Sequence, residues 1–249
     1  MEKLKKTVLL LPFIAITLII TNPWVVGAES LTASLANMPQ SAEIDKTGKL
    51  TGAYVELIRA LDNITDSKTK IVVAPFKRSI LNLIDGRVDF HIPLIEPPDV
   101  NSEELPYSFS TITLFQVAFV LYTNKNKTIN IDNLKQYNIA TDSAHTDFFD
   151  FPTQGISCLL CAIKMLDAGR LDGFIFAQNE IDPFIKEYNL KNIHRRLYKN
   201  FNVKILLPKG KNREKIDQYF TKGIKALQKQ GKYKSLLAPI LTPYQEWQP

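Results

Sequence analysis

One short pattern occurs twice in the chain, and it fixes what the chain can become. Leu83-Ile84-Asp85-Gly86-Arg87-Val88-Asp89 is answered by Leu166-Asp167-Ala168-Gly169-Arg170-Leu171-Asp172, the two glycines lying 83 residues apart. Each copy follows an apolar stretch with helical spacing and precedes a run rich in β-formers, Phe90 to Ile92 and Phe174 to Phe176. Glycine tolerates the left-handed conformation that closes a helix, and an arginine beside it suits the negative end of the helix dipole. The apolar run that follows returns the chain into a sheet. A helix that feeds a strand in this way at two distant places predicts two α/β lobes of similar design. Two lobes imply a cleft, where function should be sought.

The first 28 residues are read as a leader, not as part of the fold. Lys3, Lys5 and Lys6 make a basic start, residues 8–20 are apolar apart from Pro12 and Thr17, and Val26-Gly27-Ala28 offers small residues for cleavage. The apolar run is short for a membrane anchor, so a cleaved signal peptide is expected. Of the +6 formal charge, three lysines and one glutamate lie in this leader, which leaves +4 spread along residues 29–249. That mild, scattered surplus argues against nucleic acid as a partner. No second apolar stretch reaches spanning length, and neither cysteine lies near the cleavage point. The expectation is a soluble, unlipidated, monomeric protein of a Gram-negative periplasm.

Beyond the leader the sequence predicts alternation. Strands are expected at 31–36, 70–74 and 88–95, with helices at 52–61 and from Pro75 to Gly86; that β-α-β-α-β order argues for a parallel sheet. Residues 113–123 are read as a strand crossing to a second lobe. This lobe contains a strand at 138–141, a helix at 157–168 capped by Ser157, and a strand at 172–176. Residues 201–207 cross back, and helices at 213–230 and 233–238 close the chain. The first lobe is therefore 29–114 with 204–249, the second is an insertion at 115–203, and the two crossing strands form a hinge.

At this point the chain resembles the periplasmic (type II) solute-binding proteins of polar amino-acid ABC importers, solute-binding protein family 3. Four stretches carry the likeness: Gly48-Lys49-Leu50-Thr51-Gly52 before Tyr54-Val55-Glu56-Leu57, the two Gly-Arg-x-Asp copies, and Leu207-Pro208-Lys209-Gly210 before a helix that ends Gln230-Gly231-Lys232-Tyr233. The resemblance implies a periplasmic-binding-protein-like α/β fold, two lobes that shut on a small polar solute, and an ABC permease in the inner membrane as partner. It implies no enzyme activity, no cofactor and no metal.

Carried over residue by residue, the resemblance places Phe76 where the family keeps a ring that stacks on the ligand, thirteen positions before Asp89. Lys77 and Arg78 stand beside it, and loops of this kind lie at the carboxyl ends of parallel strands. His91, Pro93 and Glu96 follow along the next strand. Asp142, Ser143 and His145 follow the first strand of the inserted lobe, before a helix start whose free amides could hold an anion. Two positions depart from the family pattern. Glu103 stands where an arginine usually holds an α-carboxylate, and Ala177, followed by Gln178, stands where an aspartate usually holds an ammonium. Carboxylate recognition needs a fixed donor fork, so an ordinary α-amino acid is not expected. Arg78 could supply an anion contact; alternatively Glu96, Glu103 and Asp142 could favour a cation. The residues leave both open.

Cys158 and Cys161, the only cysteines, have the spacing of dithiol oxidoreductases at a helix start. Apolar residues fill the motif and no thioredoxin-like strand order precedes it, so a buried or structural pair, open to forming a disulfide, is expected. His91, His145 and His194 lack metal-ligand spacing. Two other functions stay in view: presentation of a ligand to a membrane receptor, and dehydratase-like chemistry with Glu96, Glu103 or His91 as acid or base.

Overall fold

The computed structural model describes residues 29–97, 103–210 and 212–249; the expected signal peptide lies outside them. The chain begins with β1 (Glu29–Ala36), a small hairpin of β2 (Glu43–Ile44) and β3 (Leu50–Thr51), then α1 (Ala53–Thr65), β4 (Ser67–Ala74), α2 (Phe76–Ile84) and β5 (Phe90–Ile95). β4 and β5 both run parallel to β1, on either side of it. Helix α1 turns Tyr54, Val55, Leu57, Ile58 and Leu61 into the core, the face that its periodicity predicts.

The repeated pattern makes the same joint twice. Gly86 and Gly169 sit at φ 69° and 72°, where any other residue would be strained. Their amides donate to Leu83 and Leu166, and those of Arg87 and Arg170 donate to Asn82 and Met165. This closes both helices with paired hydrogen bonds to otherwise orphaned carbonyls. The aspartates then pin a neighbouring strand. Asp89 Oδ2 accepts from the Thr32 amide at 2.7 Å while its own amide donates to Thr32. Asp172 Oδ2 accepts from the Asn138 amide at 2.8 Å while its own amide donates to Asn138. The motif is thus structural: it ends a helix and fixes the strand that follows beside an earlier one.

The rest of the chain builds β6 (Ser108–Phe109), β7 (Phe115–Asn124), a 3₁₀ segment (Ile131–Gln136), β8 (Ile139–Thr141), β9 (Gln154–Gly155), α3 (Leu159–Asp167), β10 (Gly173–Ala177), α4 (Gln178–Glu187), β11 (Ile193–Leu207), α5 (Arg213–Lys229) and α6 (Tyr233–Leu237). All strands but the β2–β3 hairpin join one nine-stranded sheet in the order β4-β1-β5-β11-β7-β10-β8-β9, with β6 on β11. Its two ends are built alike. In each, the first strand lies between the second and the third, all parallel: β4-β1-β5 and β9-β8-β10. Between them run the two long crossing strands, antiparallel to each other and to their neighbours: β11 on β5, β7 on β10. The fold is the mixed α/β, periplasmic-binding-protein-like one expected, with helices flanking a mostly parallel sheet.

Three details differ from the sequence reading. The second crossing strand begins at Ile193, because His194 and Arg196 face solvent and hide its alternation among charges. Helix α4 was not anticipated, its polar start and internal Pro183 masking it. Helix α3 is capped by Cys158, whose Sγ accepts from the Cys161 amide at 3.2 Å; Ser157 instead donates to Ser143 Oγ.

The chain also crosses the molecule a third time. Beyond α6 its last residues return to the β7–β10 end, where Arg195 binds the carbonyls of Gln245 and Trp247. Gln248 exchanges hydrogen bonds with the Arg195 backbone, and Thr242 O accepts from Gln178. No helix among the described residues is long and apolar enough to cross a membrane.

Candidate functional site

The carboxyl ends of the parallel strands converge on one cavity, as the doubly wound architecture requires. β1 leads to Met38, β4 to Phe76, and β5 ends in the Pro93–Ile95 stretch; from the other side β8 leads to His145, and β10 ends at Ala177, followed by Asn179 and Glu180. Tyr54 of α1 and Phe115, Val117 and Phe119 of β7, with Val203 of β11, complete the wall. The space enclosed is about 40 Å³, room for about three waters. It is small because side chains from opposite walls meet. The Phe76 and His145 rings pack edge to face, centroids 4.8 Å apart, and Ser41 Oγ donates to Glu180 Oε1 at 2.8 Å.

The loop that carries Met38 and Ser41 is positioned by α1. Ser41 O accepts from the Tyr54 amide, and Gln40 O from Ala53. Gly52, at φ 118°, permits this approach; a Cβ there would lie 2.5 Å from Ser41 O. On the opposite wall His145 closes a turn by donating its amide to Asp142 O. Its ring, 1% exposed, is boxed by Phe76, Phe119, Phe148 and Phe176. The ring Nδ1 lies 3.6 Å from Asp142 Oδ1, too far for a hydrogen bond, and Oδ1 already accepts from the Ala144 amide.

Glu180 is the most unusual group. It is 4% exposed, its Oε1 accepts from Ser41 Oγ and Asn179 Nδ2, and among the described residues it forms no salt bridge. Burial drives its carboxyl up from 4.5 to about 8, with the Ser41 hydrogen bond opposing and the Glu43 charge adding. Burial, reinforced by Glu180, likewise raises the Tyr54 phenol well above its usual value. Three buried side-chain atoms among the described residues lack a hydrogen-bond partner: His145 Nδ1, Asn179 Oδ1 and Glu180 Oε2. All three residues line this one cavity. Orphaned polar atoms cost about 1–3 kcal/mol each, and their convergence marks a surface built to be completed by something else.

Of the residues singled out from sequence, Phe76, Pro93 and His145 are in this wall. Asp142 supports His145 from behind. His91 is a core histidine: Ser79 Oγ lies 2.7 Å from Nδ1 and Pro93 O 2.8 Å from Nε2, and burial holds it neutral, its pKa lowered to about 3. The structure brings the others elsewhere. Arg78 is exposed on α2, outside the cavity wall, because the helix turns Phe76, Ser79 and Ile80 inward instead. Glu96 pairs with Lys204 at 3.7 Å, Ser143 holds Ser157, and Gln178 ties down the carboxyl-terminal residues through Thr242. Cys158 and Cys161 form a disulfide, exposed rather than buried. No group of three or more His, Cys, Asp or Glu among the described residues is arranged to hold a metal ion.

Sequence reasoning missed Tyr54, Asn179 and Glu180. One signal was present: in a helix starting after Ala177, Glu180 shares a face with Ala177 and neighbours Ile181, so an acid falls on the apolar side.

Comparison with known proteins now bears on this geometry. The model of the bacterial extracellular solute-binding proteins, family 3, matches residues 32–242. No curated protein sequence matches the chain. Among solved structures, a histidine kinase sensor domain described as similar to periplasmic binding proteins superposes with TM-score 0.71 at 18% identity, over 86% of this chain and 97% of that one. An arginine-specific periplasmic binding protein of Salmonella typhimurium gives 0.67 at 15%, over 86% and 100%. The substrate-binding protein of an amino-acid ABC transporter gives 0.66 at 19%, over 85% and 99%. At such identities these likenesses establish the fold alone.

Proposed function

Because the chain belongs to the bacterial extracellular solute-binding proteins of family 3, we propose that it captures a small polar solute between two lobes and delivers it to an ABC importer. The lobes are residues 29–114 with 204–249, and residues 115–203, the last residues of the first reaching across to Gln178 and Arg195 of the second. The observation that carries this reading is the cavity itself: walls from both sides and three buried polar atoms without partners. At about 40 Å³ it admits a solute only when its walls part. Among the described residues the polar and ring contacts that span it are the Ser41–Glu180 hydrogen bond and the Phe76–His145 ring pair, each worth about 1 kcal/mol. Strands β7 and β11 are continuous through both halves and are the natural hinge. The protein acts in the periplasm, reached through a signal peptide at 1–28, and Phe76, Pro93 and His145 contact the solute.

The test is a thermal-shift screen of solutes, with hits checked by small-angle scattering. A ligand stabilises the state that binds it, so a hit raises the melting temperature and compacts the protein. If no solute does either, the reading fails. The similarity to a kinase sensor domain favours a second use of the same cleft, presentation of the bound solute to a receptor. Pull-down of a permease or of a receptor ectodomain by the loaded protein separates the two.

A further inference from the structure

Building on the binding reading above, we infer that the cleft selects small organic monocations that lack a carboxylate, with Glu180 as their counter-charge and the surrounding rings as their cage. Two features of the wall carry this. The first is its charge. Among the described residues no lysine or arginine lines the cavity; Lys204, the buried lysine of β11, is engaged by Ser110 O, Thr111 O and Glu96. An α-carboxylate entering here would be desolvated with no donor fork, and its charge would oppose ionisation of Glu180. An amine, guanidinium or quaternary ammonium meets the opposite situation, since Glu180 Oε2 is buried and unpartnered. A cation supplies the partner the carboxyl lacks.

The second feature is aromatic. Tyr54, Phe76, Phe115, Phe119 and Phe176 all contribute to the wall, and ring faces attract a desolvated cation. The charged and titratable groups around Glu180 reinforce the sign. Glu43 of β2 adds negative field and Tyr54 of α1 stays neutral; Asp182, on the same helix, is already matched by Arg195. Across the cavity stands the Asp142–His145 pair.

The experiment measures binding by calorimetry to choline and n-pentylammonium, each against a matched control. The controls are 3,3-dimethyl-1-butanol, the neutral shape-mimic of choline, and L-norleucine, which is n-pentylammonium with a carboxylate added; L-arginine is run alongside. A cation is expected to bind at least tenfold more tightly than its control. Glu180→Gln keeps an oxygen for Ser41 and Asn179 but carries no charge, and should weaken cation binding at least tenfold. Wild-type protein supplies a readout independent of that variant. With the free carboxyl titrating at about 8, the competent fraction rises from about 1% at pH 6 to about half at pH 8, so cation affinity should rise about fifty-fold and protons should be released. Cation binding within twofold of wild type in Glu180→Gln, affinity flat between pH 6 and 8, or tighter binding of the neutral or zwitterionic controls each overturns the inference. If no amine in a broad library binds while some neutral or zwitterionic solute does, the inference falls and the binding reading stands. If nothing binds at all, both fall.

Discussion

Glu180→Gln should reshape how stability depends on pH, by an amount that follows from two buried groups. Burial raises the folded Glu180 carboxyl from 4.5 to about 8 and lowers the folded His91 from 6.5 to about 3. Stability rises with pH wherever the unfolded chain binds more protons than the folded one, and falls where it binds fewer. From about pH 3 to 4.5 the unfolded chain holds one extra proton, on His91, so stability climbs. From 4.5 to 6.5 that proton is matched by the one that folded Glu180 retains, and the profile is level. From 6.5 to about 8 only folded Glu180 holds an extra proton, and stability falls by about 1.4 kcal/mol per pH unit, about 2 kcal/mol in all. Asp45, Asp172 and the buried tyrosines shift in directions that act well outside this window. Glu180→Gln removes the falling limb and extends the acid limb, so that stability climbs from about pH 3 to 6.5 and is level above it. Urea unfolding between pH 5 and 9, followed by tryptophan fluorescence, reads the difference, as does a melting temperature that drops about 4–8 °C in wild type between pH 6.5 and 8. Equal losses in the two proteins over that interval, or no loss in wild type, would refute the argument that Glu180 is buried without a counter-ion.

Phe76→Ala should weaken solute binding at least tenfold and cost about 3 kcal/mol of stability, since the ring is buried against His91 and His145; calorimetry at wild-type affinity would contradict its place in the wall. Arg78→Ala, at an exposed position, should shift stability by no more than about 0.5 kcal/mol and leave affinity unchanged. A clear loss of affinity there would return Arg78 to the site. Reducing the Cys158–Cys161 disulfide, which spans three residues, should cost no more than about 2 kcal/mol on a chain-entropy argument. It should leave affinity alone, because neither cysteine lines the cavity. Arg195, fully buried, grips Asp182 through Nε at 2.8 Å and Nη2 at 2.6 Å while holding two carbonyls of the carboxyl-terminal residues. Arg195→Ala strands that aspartate and should cost about 3–5 kcal/mol, with faster proteolysis of residues 241–249 as the local signature.

The frame was legible in the sequence because it is made by local rules. The two Gly-Arg-x-Asp copies announce helix ends and strand starts through left-handed glycines, and both sit where the reading placed them. Periodicity found α1, α2, α3, α5 and the strands whose faces are apolar. What escaped was set by tertiary contact. Residues 193–196 alternate between buried and exposed and 197–200 stay at or near the surface, so the apolar signal is short, and their neighbour β7 lies 69 residues back at its closest pairing, Ile193 with Asn124. The cavity wall was half legible. Phe76, Pro93 and His145 stand next to recognisable strand ends, and the topology brings such ends together. Glu180 left only the faint signal of its helical face, since an acid in a polar segment reads as solvated until Ser41, 139 residues away, closes over it. The disulfide was legible as a pair, but its exposure was not.

The near-twofold build of the sheet locates the chemistry. Asp89 and Asp172 do the same work in their two halves, each carboxylate accepting from a backbone amide in or just before the first parallel strand of its half. The repeat therefore governs folding and says nothing about the guest. Immediately past the ends of the strands so aligned, the symmetry breaks. On one side β4 runs into Phe76 and β5 closes with the Pro93–Ile95 stretch; on the other β10 runs into α4 and delivers Asn179 and Glu180 within its first turn. These residues cap strands rather than hold them, so the sheet does not dictate their identity. One wall supplies the Phe76 ring and the other a buried carboxyl with an unpartnered oxygen. Neither is useful alone: rings without a counter-ion hold any apolar guest, and a buried acid without rings repels what it does not neutralise. On the reading proposed above, selectivity for a cation requires both walls to face the same few atoms, which would couple recognition of the guest to closure of the cleft around it.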